Sequence, residues 1–374
     1  MRGAPALFLI IDIVILRVEM EEDMKIPTDI PWKSTGKTLG RGGQGEVHLV
    51  TKRDEADEPD PTKYALKMLR NVGSAQARMR FRREIKAVMD LDHPAIIKVI
   101  DCSSENEPFQ YYVMEYHEGA QSLDIVIFSG SSPFCGNTLL SLDLFEKIVS
   151  AIRACSEHAS PIVHRDINPK NILLLDDGSI RLIDFGICQF EDGDLITFVD
   201  EDVGTRNYTS PECENGYESK TGVWSDMYSA SKVLWSVITS QRAFAREEAV
   251  FRNRSMTAMF PSKPETWHLS RIFEQTIRDN PTNRFSNANE LLSRIDSLRN
   301  IVQQGFPPLE FVGHRCPSCG WMGGNIEEYG DGYRIFGNPN PSGVISYKCN
   351  QCGFIFVRDV TILRNLAEER AKLR

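Results

Sequence analysis

The sequence predicts an α+β protein of two lobes followed by a small cysteine-bearing module. Three observations predict it. Between Trp32 and Tyr116 short apolar runs alternate at the period of strands, around one stretch of helical spacing. Beyond Gly119 apolar residues recur at spacings of three and four, as on helices with one buried face. Near the C-terminus four cysteines fall as two Cys-x-x-Cys pairs. A chain of 374 residues can hold one large domain and a smaller one. The expected boundaries are an N-terminal extension over 1–31, a main domain over 32–300, a linker over 301–310, a cysteine module over 311–360 and a tail helix over 361–374.

Each element has its own warrant. The apolar stretch Ala4 to Val18 is interrupted by Asp12, led only by Arg2, and lacks a small-residue cleavage site. It reads as an extension or extra strand, with a signal peptide or anchor as the alternative. Thr38-Leu39 leads into a glycine-rich turn and an alternating run, Glu46 to Val50. Asp54 to Pro61 is acidic and proline-containing and reads as a loop; Lys63 to Leu69 is the next strand. Ser74 to Leu91 has helical spacing, with Phe81, Ile85, Val88 and Met89 on one face and His93-Pro94 ending it. Ile96 to Ile100 and Tyr111 to Tyr116 complete a five-stranded sheet with one main helix. Leu142, Phe145, Ile148, Val149, Ile152 and Cys155 mark a buried helix face, and further helices are expected over Trp224 to Ser240, Ser270 to Ile277 and Ala288 to Ile301. Phe306-Pro307-Pro308 reads as linker.

A net charge of -9 and a pI near 5.4 exclude a protein built mainly to coat nucleic acid or anionic membrane. No membrane partner is expected. Cys102, Cys135, Cys155, Cys188 and Cys213 are scattered singly, as reduced thiols of a cytoplasmic chain are.

The chemistry gathers in four places. Gly40-Arg41-Gly42-Gly43-Gln44-Gly45-Glu46-Val47 fits G-x-G-x-x-G-x-V, whose glycines let backbone N–H groups approach phosphate; a plain hairpin turn is the competing reading. The nearby Gly36-Lys37-Thr38 is not a Walker loop, since Pro31 stands where that loop requires glycine. Lys67 ends an apolar strand, and Glu84 on the following helix can pair with it and aim the ammonium at phosphate. His164-Arg165-Asp166-Ile167-Asn168-Pro169-Lys170-Asn171 precedes Asp184-Phe185-Gly186: Asp166 can take a proton from a hydroxyl, while Asn171 and Asp184 can each ligate magnesium.

In this order the motifs resemble those of the eukaryotic-type (Hanks-type) serine/threonine protein kinase family, over Trp32 to Arg299. The resemblance implies a bilobal protein kinase fold using ATP and Mg2+ on protein substrates. It implies that Gly40, Gly42 and Gly45 cover the phosphates and that Lys67, paired to Glu84, contacts them. Val47, Ala65 and Leu173 would sandwich adenine, Met114 would be the gatekeeper, and Glu115 and Tyr116 would begin the hinge. Asp166 would be the catalytic base, Asn171 and Asp184 the magnesium ligands, and His164, Phe185 and Val88 a stacked spine. Gly204 to Glu212 resembles the end of the activation segment, Asp226-Met227-Tyr228-Ser229 the start of the long helix, and Arg284 the partner of Glu212.

Two residues depart from the family pattern. Asn168 stands where serine/threonine kinases usually carry a lysine that neutralises the transferring phosphate, which implies slow but real catalysis. Lys170 should disfavour basic substrates and tolerate acidic ones, with a plain solvated lysine as the alternative. The stretch Glu191 to Asp202 is acidic with one phosphorylatable residue, Thr197; its carboxylates can stand in for phosphate toward Arg165, Arg78, Arg80, Arg82 and Arg83, or form a solvated loop.

Cys316-Pro317-Ser318-Cys319 and Cys349-Asn350-Gln351-Cys352, each followed by glycine, resemble a zinc ribbon, with two disulfides as the alternative. Four thiolates make a closed, structural Zn2+ site whose metal would supply much of the module's folding energy. Residues 311–360 hold four basic and four acidic side chains, so a protein partner is expected and nucleic acid is not. The leading function is an ATP-dependent serine/threonine protein kinase. The alternatives are a pseudokinase scaffold with negligible transfer, and a zinc-ribbon nucleic-acid adaptor with a regulatory kinase domain.

Overall fold

The computed structural model describes residues 25–42, 45–53, 59–69, 78, 82, 85–86, 88–104, 107, 109–185, 206–214, 221–244, 254, 256–260, 263–304, 326–330, 344–349 and 355–359. The chain divides into two compact units, 1–79 with 99–116, and 80–98 with 117–374.

The first unit is an antiparallel sheet of five strands, β1 (Trp32–Gly42), β2 (Gly45–Arg53), β3 (Pro59–Leu69), β4 (Val99–Cys102) and β5 (Gln110–Glu115), in the order β1-β2-β3-β5-β4. Strand periodicity gives the sheet two chemically distinct faces. Val50, Leu66, Met68, Tyr111 and Val113 share one face and form a core with Ile30 and Trp32. Each such large apolar side chain contributes roughly 1.5–3 kcal/mol by leaving water. Trp32 donates its indole N–H to Asp101 Oδ2 at 2.7 Å and meets the Tyr64 ring edge-on at 5.2 Å. Trp32 and Asp101 lie on β1 and β4, the two edge strands, so the sheet curls until its edges are joined by a side-chain bond. The expected loop over 54–61 is shorter than the sequence suggested: β3 already begins at Pro59, opposite Arg53.

The helical unit contains α1 (Leu123–Phe128), α2 (Thr138–Glu157), α3 (Pro211–Glu214), α4 (Val223–Thr239), α5 (Met256–Met259), α6 (Ser270–Thr276) and α7 (Ala288–Gln304). Asn137 caps α2 by accepting from the Leu140 N–H at 3.2 Å. The expected apolar stripe of α2 is buried from Leu142 through Cys155. Every residue of α4 from Ser225 to Thr239 is buried. Its hydroxyls survive burial by donating one turn back: Ser231 to the Met227 carbonyl at 2.8 Å and Thr239 to that of Trp235 at 2.7 Å. Lys232 is buried too, with its ammonium on the carbonyls of Asn207 and Phe244 and over the Tyr228 ring. Of the expected helix over 74–91, residues 78, 82, 85, 86, 88 and 89 are described and helical, and Ile85 and Val88 are buried as its spacing required.

A small sheet of β6 (Gln121–Ser122), β7 (Ile172–Leu174) and β8 (Ile180–Leu182) was not foreseen; strands of two or three residues are too short to show a period. Towards the C-terminus β9 (Ile326–Gly330), β10 (Val344–Cys349) and β11 (Ile355–Asp359) form an antiparallel sheet with β10 in the middle. Cys349 ends β10, while Cys316, Cys319 and Cys352 lie outside the described residues, as do the extension over 1–24, the acidic stretch Glu191 to Asp202 and the tail over 361–374.

Candidate active site

In the first unit, strand register alone assembles one face. Val47 stands opposite Lys67, and Lys67 opposite Tyr112; Ala65 stands opposite Leu49 and Met114. Antiparallel partners share a face, so Val47, Ala65, Lys67 and Met114 line the side away from the Trp32 core. Lys67 is 5% exposed there. Glu115 is the last residue of β5 and Tyr116 follows it. Gly40, Gly42 and Gly45 sit on the β1–β2 hairpin, with Gly42 opposite Gly45. Gly45 has a separate reason to be glycine: at φ 155°, an added Cβ would stand 1.9 Å from the Met68 carbonyl oxygen. A Cβ at Gly40 would meet nothing within 4 Å.

In the helical unit the chemistry sits on the loop before β7. Asp166 is held through both carboxylate oxygens: Asn168 Nδ2 donates to Oδ1 at 2.8 Å, and Asn171 Nδ2 to Oδ2 at 2.7 Å. Asn168 is 2% exposed, and its own oxygen accepts from the Lys170 N–H at 2.9 Å, opening the 3-10 turn Pro169–Asn171. Both ends of the Asn168 amide are therefore committed. The Asn171 amide nitrogen also donates to the Asp166 carbonyl at 2.9 Å, which leaves the Asn171 side-chain oxygen for a hard cation. The Ile183 N–H donates to the Asn171 carbonyl at 3.0 Å, fixing the approach to Asp184, whose backbone takes φ 56°. Neutral amide and carboxylate oxygens suit magnesium, so Asn171 and Asp184 fit the expected ligand set. Leu173 stands half-buried on β7, opposite Ser122.

The loop is anchored by a residue whose role the sequence did not show. Asp226, the fourth residue of α4, accepts the backbone N–H groups of His164 at 2.8 Å and Arg165 at 2.9 Å. These bonds hold Arg165 at φ 66°, a costly backbone conformation for a residue with a Cβ. Burial pushes the Asp226 carboxyl up to about 6, against the lowering effect of the two N–H groups. His164 meets Phe185 with ring centres 4.5 Å apart and engages the Ile183 carbonyl through Nε2 at 3.0 Å. Burial pushes its imidazole down to about 4, so it is neutral at physiological pH. Two of the three expected spine residues thus meet; Val88 is buried.

A second anchor lies on α3. Arg284 grips Glu212 with both terminal nitrogens, at 2.6 and 2.9 Å, and Ser225 adds a third donor to the same carboxylate at 2.7 Å. Burial alone would raise the Glu212 carboxyl, but the Arg284 and Ser225 bonds outweigh it and hold it below its ordinary range. Glu84, Gly186 and the acidic stretch fall outside the described residues, so the Lys67–Glu84 pair and the phosphate-mimic idea stay expectations.

A curled sheet with a buried lysine, and a loop that presents a clamped aspartate beside an asparagine and a second aspartate, define a protein kinase. A family model for the protein kinase domain matches residues 34–295, and the chain belongs to that family. It is similar to the serine/threonine-protein kinase PknB of Mycobacterium leprae, 32% identical over 286 residues covering 73% of this chain and 43% of the relative. PknB of Mycobacterium tuberculosis is 32% identical over 287 residues with the same coverage. A probable serine/threonine-protein kinase PknB of Bifidobacterium longum is 30% identical over 298 residues, covering 73% and 41%. The chain thus spans less than half the length of these relatives.

Proposed function

We propose that this chain transfers the γ-phosphoryl group of ATP to serine or threonine hydroxyls of protein substrates. The observation that carries the reading is Asp166, whose carboxylate is clamped by two neutral amides and aimed by a loop tied to buried Asp226. In this reading Asp166 accepts the hydroxyl proton as the oxygen attacks the γ-phosphorus and ADP departs. Lys67, paired to Glu84, holds the phosphates under Gly40, Gly42 and Gly45; Val47, Ala65 and Leu173 enclose adenine beside Met114, with Glu115 and Tyr116 as hinge. Bound magnesium would neutralise phosphate charge, and Asn171 and Asp184 are the residues to hold it.

Asn168 sets the speed. Its amide orients Asp166 but carries no positive charge toward the transferring group, so turnover is slow. The same residue favours the rival reading, a pseudokinase scaffold. Radiolabelled transfer from ATP by wild type, Asp166→Ala and Asp184→Ala separates the two. Transfer abolished in both variants supports the kinase; equal background in all three, with folded protein and magnesium present, overturns it.

For the C-terminal module we infer a structural zinc ribbon that docks a protein partner. The antiparallel β9–β11 sheet, with Cys349 at the end of its middle strand, supports this reading. One zinc per chain by atomic emission, lost in Cys349→Ser, is expected; metal content unchanged by that substitution would count against it. Among the described residues no helix is long and apolar enough to cross a membrane. Cys102, Cys135, Cys155 and Cys213 are free thiols, which fits a reducing cytoplasm.

A further inference from the structure

Beside the catalytic loop the helical unit carries a surface that the phosphotransfer site does not use. Helix α1 packs against the 3-10 turn Pro169–Asn171, which follows the catalytic loop in the chain. That side is apolar: Ile125 is 59% exposed and Phe128 37% exposed. Phe128 also borders an open groove of about 500 Å³, lined with Ile127, Ser132, Cys135, Ser240 and Arg242 among others.

Two hydroxyls of this groove stand without partners among the described residues. Ser132 Oγ and Ser240 Oγ are shielded from solvent and have no hydrogen-bond partner among the described residues. Arg242 is exposed, and its guanidinium lies over the Phe128 ring at 5.6 Å; among the described residues it forms no ion pair. Nearby, Lys263 reaches the Gly136 carbonyl, next to Cys135, and the exposed Lys170 sits on the turn under α1. The only carboxylate on α1, Asp124, already accepts from Ser122 Oγ at 2.5 Å. Two shielded donors, the Arg242 guanidinium and an apolar shelf thus occur together. A shielded hydroxyl without a partner is destabilising, and an acceptor-rich occupant would relieve it.

We propose that this groove and the outer side of α1 dock an acidic, apolar-containing segment of the protein substrate. The inference rests on the kinase reading above and adds the class of substrate. A carboxylate would pair with Arg242, backbone or side-chain oxygens would accept from Ser132 and Ser240, and a leucine or phenylalanine would cover Phe128 and Ile125. The same placement makes Lys170 a second cation met by the substrate near the reaction centre.

Direct binding and kinetics test it together, using the full chain. Two fluorescein-labelled peptides share a central threonine; one is flanked by glutamates, aspartates and leucine, and in the other every acid is replaced by lysine. Fluorescence anisotropy should show the acidic peptide bound at least about tenfold more tightly, and Arg242→Glu should remove about tenfold of that affinity. Phe128→Ser should weaken it by a similar factor. In transfer assays, Arg242→Glu should raise KM for the acidic peptide about tenfold and leave kcat and KM for ATP unchanged. Selective binding without transfer to any peptide would leave the docking site standing and sink the kinase reading. Normal transfer with no charge preference in wild type, or binding indifferent to Arg242→Glu, would overturn the docking site. Sedimentation showing a dimer that Arg242→Glu dissociates, with neither peptide bound, would reassign the surface to a second copy of this chain.

Discussion

Removing the Arg284 guanidinium should cost the helical unit more than any other single truncation near the site. Arg284→Ala deletes the two-pronged grip on Glu212, the bonds to the carbonyls of Arg278, Trp224 and Asp279, and the stacking 4.7 Å over the Tyr228 ring. The Glu212 and Arg284 side chains are 4% and 0% exposed, so water cannot replace the lost partner cheaply. Ser225 still donates to the carboxylate but brings no positive charge. An uncompensated buried charge of this kind costs about 3–5 kcal/mol. For a domain near this size, that translates to a fall of roughly 6–20 °C in Tm. Differential scanning fluorimetry and urea titration would measure it. A double variant, Glu212→Leu with Arg284→Met, removes both charges and should recover about 2–3 kcal/mol relative to the sum of the single losses. A loss below about 1 kcal/mol in Arg284→Ala, or strict additivity in the cycle, would refute the reasoning.

Three further outcomes are expected. Asn168→Lys should raise kcat about tenfold or more with KM for ATP unchanged, and a fall in kcat under those conditions would show that the amide clamp matters more than charge. The folded imidazole of His164 is pushed down to about 4, so its contribution to stability is present above its ordinary value of 6.5 and lost as pH falls through about 4. Asp226 runs the other way: pushed up to about 6, it favours folding below its ordinary 3.8 and loses that as pH rises through about 6. His164→Phe should therefore gain about 2–3 kcal/mol relative to wild type between pH 6 and pH 4 in urea titrations, and parallel profiles would contradict this. Gly45→Ala should destabilise the sheet by about 2–4 kcal/mol while Gly40→Ala stays within about 1 kcal/mol, as thermal melts would show; equal effects would be evidence against the close approach to Met68.

What the sequence revealed, and what it hid, follows from the range of each interaction. Val47, Ala65, Lys67 and Met114 were named through the family resemblance, and the strand register sets them on one face of the sheet. Helix α2 was legible from its apolar stripe alone. Helix α4 was found, but its burial on all sides was not, because serines that bond their own helix look hydrophilic in a sequence. Asp226 was read as a helix start; its hold on His164 and Arg165 spans more than sixty positions and leaves no local pattern. The signal that could have found it is an acid in a run otherwise fated for burial. Asn168 was noticed for the charge it lacks. Its use of both amide ends, as clamp and as cap of the turn, emerges only from geometry.

Gly45 carries a wider consequence. Its missing side chain is demanded by the Met68 carbonyl in the neighbouring strand, whether or not a nucleotide is ever bound. A descendant of this chain that abandoned phosphotransfer would still be forced to keep that glycine in order to fold. Its presence is evidence of ancestry and of an intact sheet, whereas loss of Lys67 or Asp184 is where retirement from catalysis would first be written.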